Sequence, residues 1–179
     1  QLLQSRAYHA AGAINSEQLR TVEEDAIGDV VRMPESLGRQ TATDGEFRRT
    51  SWHMDFIYQL QGVHRTDEQI EVHFRNAQSN LDFTSAALKI DGKIALEHTI
   101  FGPDFEFLQS VVTTGTPKLT IPSPSMVHYR GGPAAIDRGV YPDEDEFWAD
   151  LSSAYAQQVQ QLAALGCTYL QLDDTSLAY

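Results

Sequence analysis

Three polar clusters in the chain each follow a short apolar stretch, and they contain residue types that bind or activate small molecules. They are Thr43-Asp44-Gly45-Glu46-Phe47-Arg48-Arg49, Pro122-Ser123-Pro124-Ser125 and Asp173-Asp174. In parallel α/β proteins, ligands bind at the loops that follow the carboxyl ends of the strands. If the three preceding strands are parallel neighbours, the clusters gather on one rim. Carboxylates on such a rim could grip an ammonium group or act as general bases.

Asp173 and Asp174 stand at the end of a predicted strand. Tyr169, Leu170 and Leu172 before them predict a buried strand, and a buried charged pair is costly without a ligand or a counter-charge. The alternative is that one of the two carboxylates caps the next helix. The residue pattern leaves both interpretations open.

Glu46 has two interpretations as well. It follows a glycine and stands among Asp44, Arg48 and Arg49, so it could be a rim carboxylate that grips an ammonium group or acts as a base. The plainer alternative is a loop turn with a capping Asp44 and two solvated arginines, since exposed charges need no special explanation.

Other nucleophiles and metal ligands give weaker signals. Cys167 lies at the start of the last predicted strand, away from the carboxylates, and we expect a buried core thiol. The six histidines show no zinc-ligand spacing, although His53 and His128 each follow a rim cluster. The chain has no G-x-S-x-G, P-loop or G-x-G-x-x-G motif, which excludes the common serine hydrolase and nucleotide-binding signatures.

Composition limits the classes of partner. The 179 residues carry a net charge of −12, which argues against nucleic acid and anionic membranes as partners. No apolar run is long enough to span a membrane. A single cysteine fits a reducing compartment, so we expect a cytoplasmic protein. The opening Gln1-Leu2-Leu3-Gln4 is typical of the inside of a helix, and we expect the visible sequence to begin after the true N-terminus.

Helix and strand signals predict the order of the elements. Helices are predicted over residues 1–14, 17–36 with Ser16 as N-cap, 52–60, 102–112 and from about 141 to 166, and strands over 40–43, 69–74, 86–90, 93–96, 118–121 and 167–172. Asp91-Gly92 predicts a hairpin turn between two of these strands. Trp148, Leu151, Tyr155, Val159 and Leu162 form the predicted core face of the longest helix.

The repeated order of helix, apolar strand and polar cluster predicts an α/β fold of the (β/α)8 TIM-barrel type. We expect one partial barrel domain over residues 1–179, with an antiparallel hairpin insertion around residues 69–98. A full barrel typically needs about 250 residues, so the first strand and the C-terminal strands are expected to be absent. A partner, a homo-oligomer or a missing segment would then close the barrel.

The motifs also support a family resemblance. Thr43-Asp44-Gly45-Glu46-Phe47-Arg48-Arg49, Leu119-Thr120-Ile121-Pro122-Ser123-Pro124-Ser125 and Tyr169-Leu170-Gln171-Leu172-Asp173-Asp174 occur in the order and approximate spacing of the C-terminal domain of cobalamin-independent methionine synthase. The chain resembles this family over essentially its whole length, and most of all its shorter, stand-alone bacterial relatives.

The resemblance implies a methyltransferase that moves a methyl group from 5-methyltetrahydrofolate, or a related donor, to the zinc-bound thiolate of homocysteine or a similar thiol. It implies that Glu46 and Asp173 hold the amino-acid substrate, with Asp174 secondary. Tyr129, Ser123 and Ser125 are weaker matches, and they would contact the folate. No residue of the chain is assigned as catalytic or as a metal ligand.

Departures from the family pattern shape these expectations. The family's zinc ligands, a His-x-Cys pair with a later Glu and Cys, are expected beyond Tyr179, and Cys167 matches none of them. Thr50-Ser51 stands where the main branch has Asn-Asp. Two alternatives remain: another thiol alkyl transfer or decarboxylase-like reaction on the same barrel, and a non-catalytic truncated barrel that serves as a binding module.

Overall fold

The computed structural model describes residues 2–75 and 80–175, which form two compact units. The first unit contains the described residues up to Trp52, together with Phe101–Thr120 and Leu162–Gln171. The second contains the described residues of 53–100 and 121–161, and those from Leu172 onwards. None of the described helices combines the length and the apolar character that crossing a membrane requires.

Helices and strands alternate over most of the chain. In order they are α1 (Leu2–Ala10), α2 (Ser16–Ser36), β1 (Thr41–Ala42), α3 (Met54–Ile57), β2 (Gln61–Arg75), β3 (Asn80–Ala95), α4 (Gly102–Val111), β4 (Thr116–Pro122), α5 (Pro124–Gly131), a 3-10 turn (Pro133–Ala135), α6 (Glu144–Ala164) and β5 (Tyr169–Asp173). The mixed α/β class predicted from the sequence is confirmed.

Helix α2 begins at Ser16, one residue earlier than predicted, and its cap also lies one residue earlier. Asn15, rather than Ser16, is the N-cap: its side chain accepts the Gln18 amide at 2.9 Å, and the Gln18 side chain accepts the Asn15 amide at 2.9 Å. This reciprocal pair is a capping box, which satisfies two helix-end donors at once. The Ser16 hydroxyl instead lies 3.1 Å from a His9 ring nitrogen.

The first unit has a small sheet and an apolar core. Strand β1 pairs in parallel with β4, and the strand order is β1-β4-β5. Ile27 and Val31 of α2, Ala42 of β1 and Leu108 of α4 form the buried cluster, because the apolar face of each helix is covered by the sheet or by the other helix. The completeness of the predicted barrel stays a prediction.

The second unit contains an antiparallel ribbon of β2 and β3, and it corrects the predicted turn. Asp91 and Gly92 lie inside β3 rather than at a turn between two strands. Gly62 of β2 has a φ of +80°, and a Cβ there would lie 2.5 Å from the Gly92 carbonyl oxygen. The glycine therefore allows a close approach of two strands at a register shift, a role that sequence alone does not separate from a turn.

Helix α6 lies in the second unit as far as Gln161. Leu151, Tyr155 and Leu162 are buried as predicted, whereas Val159 is 41% exposed. Trp148 is half-buried, and Phe147 beside it is buried. Gln158 is fully buried, and its amide accepts the Ile100 N–H at 2.9 Å and donates to the Ile100 carbonyl at 2.7 Å. Its two bonds satisfy both backbone groups of Ile100, which precedes α4.

Strand β5 is less buried than its sequence predicts. Tyr169 is 42% exposed and Leu172 is 51% exposed, so the expected burial of both side chains is wrong. Cys167 is likewise half-buried rather than a core thiol, although burial raises its pKa. The predicted helix over 52–60 is also shorter than expected, since α3 covers only Met54–Ile57.

Candidate functional site

The loop after β1 is shaped by two side chains that accept hydrogen bonds from its own backbone. The Thr43 hydroxyl accepts the Gly45 N–H, and Asp44 Oδ1 accepts the Glu46 N–H, each at 3.0 Å. Asp44 is 3% exposed. Such local bonds are the reason that Asp and Thr are favoured in turns. They hold Gly45 and Glu46 in consecutive left-handed conformations, with φ of +65° and +57°.

Glu46 carries its carboxylate on this strained turn. A non-glycine residue in the left-handed region is uncommon and is kept there by its surroundings. Its Oε1 accepts the Thr120 hydroxyl at 2.6 Å and lies 3.3 Å from Arg49 Nη1. Among the described residues, Oε2 accepts no hydrogen bond, and the side chain is 31% exposed. One oxygen is therefore anchored while the other is available.

Of the two arginines of this loop, Arg49 is buried and Arg48 is mostly covered, which corrects the view of them as solvated. The side chain of Arg49 is 3% exposed and that of Arg48 is 12% exposed. Arg49 donates to the Thr120 carbonyl at 2.9 Å, and its guanidinium lies 4.1 Å from the centre of the Phe101 ring. The alternative prediction was a plain loop turn with a capping Asp44 and two solvated arginines. The structure contains the Asp44 hydrogen bond within the turn but not the solvated arginines.

Arg48 belongs to a separate ionic cluster on the other side of the loop. Its guanidinium lies 3.4 Å from Glu24 and 3.4 Å from Asp104, and stacks over Phe107 at 4.7 Å. Burial raises the pKa of Asp104, and the Arg48 charge partly offsets that rise. Arg48 therefore balances carboxylates of α2 and α4 and does not contact Glu46.

The second and third polar clusters meet in the second unit. The Ser123 and Ser125 hydroxyls lie 2.7 Å apart, and Ser125 donates to Asp174 Oδ1 at 3.1 Å. The Ser123 N–H donates to the Asp173 carbonyl at 2.9 Å. Ser123 is buried, whereas Asp173 is half-buried and Asp174 is exposed. These contacts tie the N-terminal end of α5 to the end of β5.

Three aromatic candidates lie on or near the helices of the second unit. Tyr129 is on α5 and is 45% exposed. The His128 ring lies 5.1 Å from the Trp148 ring, so it packs as an aromatic residue. His53 is buried at the N-terminal end of α3.

The predicted site residues thus fall into two sets. Ser123, Ser125, Asp173 and Asp174 are joined by hydrogen bonds in the second unit, with Tyr129 on the same helix as Ser125, while Glu46 belongs to the first unit. Among the side chains that the structure describes, which exclude those of residues 67–87, no group of three or more His, Cys, Asp or Glu could hold a metal ion. The described residues therefore do not fit a zinc site.

Sequence reasoning missed the partners of Glu46. In the sequence, Arg49 is one of a basic pair and Thr120 is part of a predicted apolar strand. The one local signal was the three-residue spacing of Glu46 and Arg49, which lets the two side chains meet across a turn. Thr120, which is 74 residues from Glu46, gave no signal of its own.

Comparison with known proteins finds relatives that match nearly the whole of this chain. It is 38% identical over 174 residues to the uncharacterised protein YxjH of Bacillus subtilis, covering 97% of this chain and 44% of YxjH. It is 24% identical over 172 residues to the methionine synthase of Sulfolobus acidocaldarius, covering 94% of this chain and 46% of that protein. No family model matches the chain.

A solved structure gives the same connection. The chain superposes with a TM-score of 0.79 and 35% identity on a candidate vitamin-B12-independent methionine synthase from Listeria monocytogenes, covering 99% of this chain and 49% of that one. The resemblance indicated by the three motifs is thereby confirmed. In each comparison the chain spans less than half the length of the protein that it matches.

Proposed function

We propose that the chain contributes the amino-acid binding part of a thiol methyltransferase. The premise is that nearly the whole chain is similar to a part, less than half in length, of proteins of the cobalamin-independent methionine synthase group. The acceptor is homocysteine or a similar amino-acid thiol. The donor is 5-methyltetrahydrofolate or a related methyl carrier. The full-length protein is proposed to act in the cytoplasm.

The observation that supports this proposal most is the state of the Glu46 carboxylate. Oε1 is anchored by Thr120 and Arg49, while Oε2 accepts no hydrogen bond from the described residues. An ionised carboxylate with one free oxygen is a strong acceptor for an ammonium N–H, because such bonds are charge-assisted. An amino acid carries this group next to its carboxylate.

The family resemblance also implies a role for Asp173 in holding the amino-acid substrate, with Asp174 in a supporting role. Asp173 is half-buried at the end of β5, and Asp174 accepts the Ser125 hydroxyl. Partial burial strengthens an ion pair relative to one in open water.

The donor is proposed to bind near α5. Tyr129 offers a half-exposed ring that can stack on a flat heterocycle, and the Ser123–Ser125 pair offers hydroxyl groups within hydrogen-bonding distance of each other. Because Ser125 also donates to Asp174, a donor bound at the serines would lie next to the acidic end of β5.

In the proposed reaction, the thiolate sulfur of the acceptor forms a bond to the methyl carbon as the bond from that carbon to the folate nitrogen breaks. The nitrogen keeps the electron pair and takes up a proton. The described residues contribute binding and orientation rather than the nucleophile. Zinc remains a proposal for residues beyond Tyr179, and metal analysis of the full-length protein tests it.

The test is a methyl-transfer assay on the full-length protein with homocysteine and 5-methyltetrahydrofolate. Glu46→Gln and Asp173→Asn are each expected to raise the KM for homocysteine about tenfold or more, because each removes a charged hydrogen-bond acceptor. Glu106→Gln, on the exposed side of α4, is the matched control and should leave KM unchanged.

Wild-type rates and KM values in both variants would overturn the assignment of these carboxylates. Lack of any methyl transfer to homocysteine by the wild-type protein, with transfer to another thiol, would favour a different thiol alkyl transfer. Stoichiometric binding of homocysteine without any turnover would favour the binding-module alternative.

A further inference from the structure

The guanidinium of Arg49 has partners at both of its terminal nitrogens. Its Nη2 donates to the Thr120 carbonyl at 2.9 Å, and its Nη1 lies 3.3 Å from Glu46 Oε1 and 3.4 Å from the Trp52 carbonyl. Its face rests on the Phe101 ring. A side chain that is 3% exposed and held in this way is out of reach of a substrate. Its effect must therefore act through another residue.

Two strained residues contact this guanidinium. Glu46 and Phe101, with φ of +57° and +60°, are the non-glycine residues with a left-handed backbone within the described chain. Glu46 contacts Arg49 through its carboxylate, and Phe101 contacts it through its ring. Strained conformations persist only where the surroundings enforce them, and they cluster at functional sites. Arg49 supplies a shared contact to both.

Thr120 completes the arrangement from β4. Its hydroxyl donates to Glu46 Oε1 at 2.6 Å, and its carbonyl accepts from Arg49. The three residues form a closed ring of contacts in which both donors point to the same carboxylate oxygen. Oε1 of Glu46 therefore accepts from two donors. Among the described residues no donor bonds to Oε2, so its lone pairs can accept hydrogen bonds from a ligand.

We propose that Arg49 is a positioning residue that, together with Thr120, fixes the Glu46 carboxylate so that Oε2 faces the ammonium group of an amino-acid ligand. This inference rests on the proposed function and adds to it the residues that set recognition of the ammonium. Arg49 touches no substrate. A lysine cannot replace it, since one ammonium cannot reproduce the planar fork that bonds Thr120 and Glu46 at once.

The experiment compares two thiols on the full-length protein: homocysteine and 4-sulfanylbutanoate, which lacks only the amino group. The wild-type protein should prefer homocysteine in kcat/KM. Arg49→Lys and Thr120→Val should each lower that preference about tenfold, through the KM for homocysteine, and leave kcat/KM for 4-sulfanylbutanoate unchanged. Glu46→Gln combined with Arg49→Lys should be no worse than Glu46→Gln alone, because both changes remove the same interaction.

Arg48→Lys is the matched control, because Arg48 is the neighbouring arginine, its side chain is also mostly covered, and its partners are Glu24 and Asp104. It should lower stability but keep the preference for the amino thiol. A purely structural role for Arg49 predicts the opposite pattern: equal losses on both thiols, additive with Glu46→Gln, and that result overturns the proposal. Thr120→Val leaves the cation in place, so it tests the same point if Arg49→Lys does not fold.

A wild-type protein with no preference for the amino thiol would overturn the ammonium role of Glu46, and with it the proposed function. The positioning role is then read from crystal structures of the wild type and Arg49→Lys. A Glu46 carboxylate that moves in the variant supports positioning, and one that stays in place overturns it.

Discussion

Gly62 and Gly92 face each other across the β2–β3 ribbon so closely that a Cβ on Gly62 would lie 2.5 Å from the Gly92 carbonyl oxygen. The contact lies where the pairing shifts register between Gln61 and Val63. Both the steric contact and the φ of +80° at Gly62 require a residue without a side chain.

Gly62→Ala is therefore expected to destabilise the protein by about 2 kcal/mol or more, from left-handed strain and the backbone clash together. Gly12→Ala is the matched control, since Gly12 has a φ of +73° with nothing within 4 Å of an added Cβ. It should cost about 1 kcal/mol from strain alone. Urea unfolding of both variants gives the comparison, and equal losses would contradict the close-approach argument.

Tyr141→Phe is expected to lower the free energy of unfolding by about 1–3 kcal/mol, because it strips a buried N–H of its acceptor. The Tyr141 hydroxyl accepts the Ile94 N–H at 2.7 Å and donates to Asp150 Oδ2 at 2.8 Å. Burial raises the pKa of Tyr141 to about 12. Urea unfolding of wild type and variant measures the loss of stability. An ultraviolet titration of tyrosinate checks the pKa: the difference between wild type and variant should develop around pH 12, and a difference that develops near pH 10 would contradict the raised value.

Glu35→Gln should lose stability at neutral pH but not in acid. Glu35 Oε1 accepts the N–H groups of Thr114 at 2.7 Å and Thr113 at 2.8 Å, and these bonds lower the pKa of its carboxyl. A lowered folded-state pKa gives stability that is present above the unfolded pKa and is lost as pH falls through the folded value. Denaturant unfolding at about pH 7 and pH 3 measures the difference between wild type and variant.

Asp104→Asn should show the opposite dependence on pH. Burial raises the pKa of Asp104, so its contribution is present below the unfolded pKa and is lost as pH rises through the raised folded value. The stability of the wild type relative to Asp104→Asn should therefore fall between acid and neutral pH. Asp104→Asn also loses the charged contact with Arg48, which changes the difference in unfolding free energy by a constant amount. The test is therefore how this difference changes with pH, not its absolute size. A flat or rising difference would show that Arg48, rather than burial, dominates at this carboxyl.

Local signals predicted the elements well where one residue type has one physical use. Helix α4 follows Gly102-Pro103 as expected, since proline at the first helical position lacks only a donor that the helix leaves free. The hairpin turn predicted at Asp91-Gly92 was wrong, because glycine is used both in tight turns and where two strands approach closely. The choice between these depends on Gly62, which is 30 residues away.

The candidate site was predictable in its carboxylates but not in their supports. A glycine followed by an acid after a short strand indicated Glu46, and an acidic pair after an apolar strand indicated Asp173 and Asp174. Whether Arg49 is solvated or buried depends on Phe101 and Thr120, and Thr120 is 71 residues away. The burial of Arg49 depends on contacts with residues that are distant in the chain, and no local periodicity or spacing in the sequence indicates such contacts.

The amide clamp between Gln158 and Ile100 sets a strict limit on what position 158 tolerates. Only a primary amide offers a donor and an acceptor side by side in the arrangement of a peptide group, and asparagine is one methylene too short to reach from the same helix. Glutamate would set a carboxylate oxygen against the Ile100 carbonyl, and leucine would leave two backbone groups without partners. In a library of all substitutions at this buried position, glutamine should stand almost alone among the folded variants.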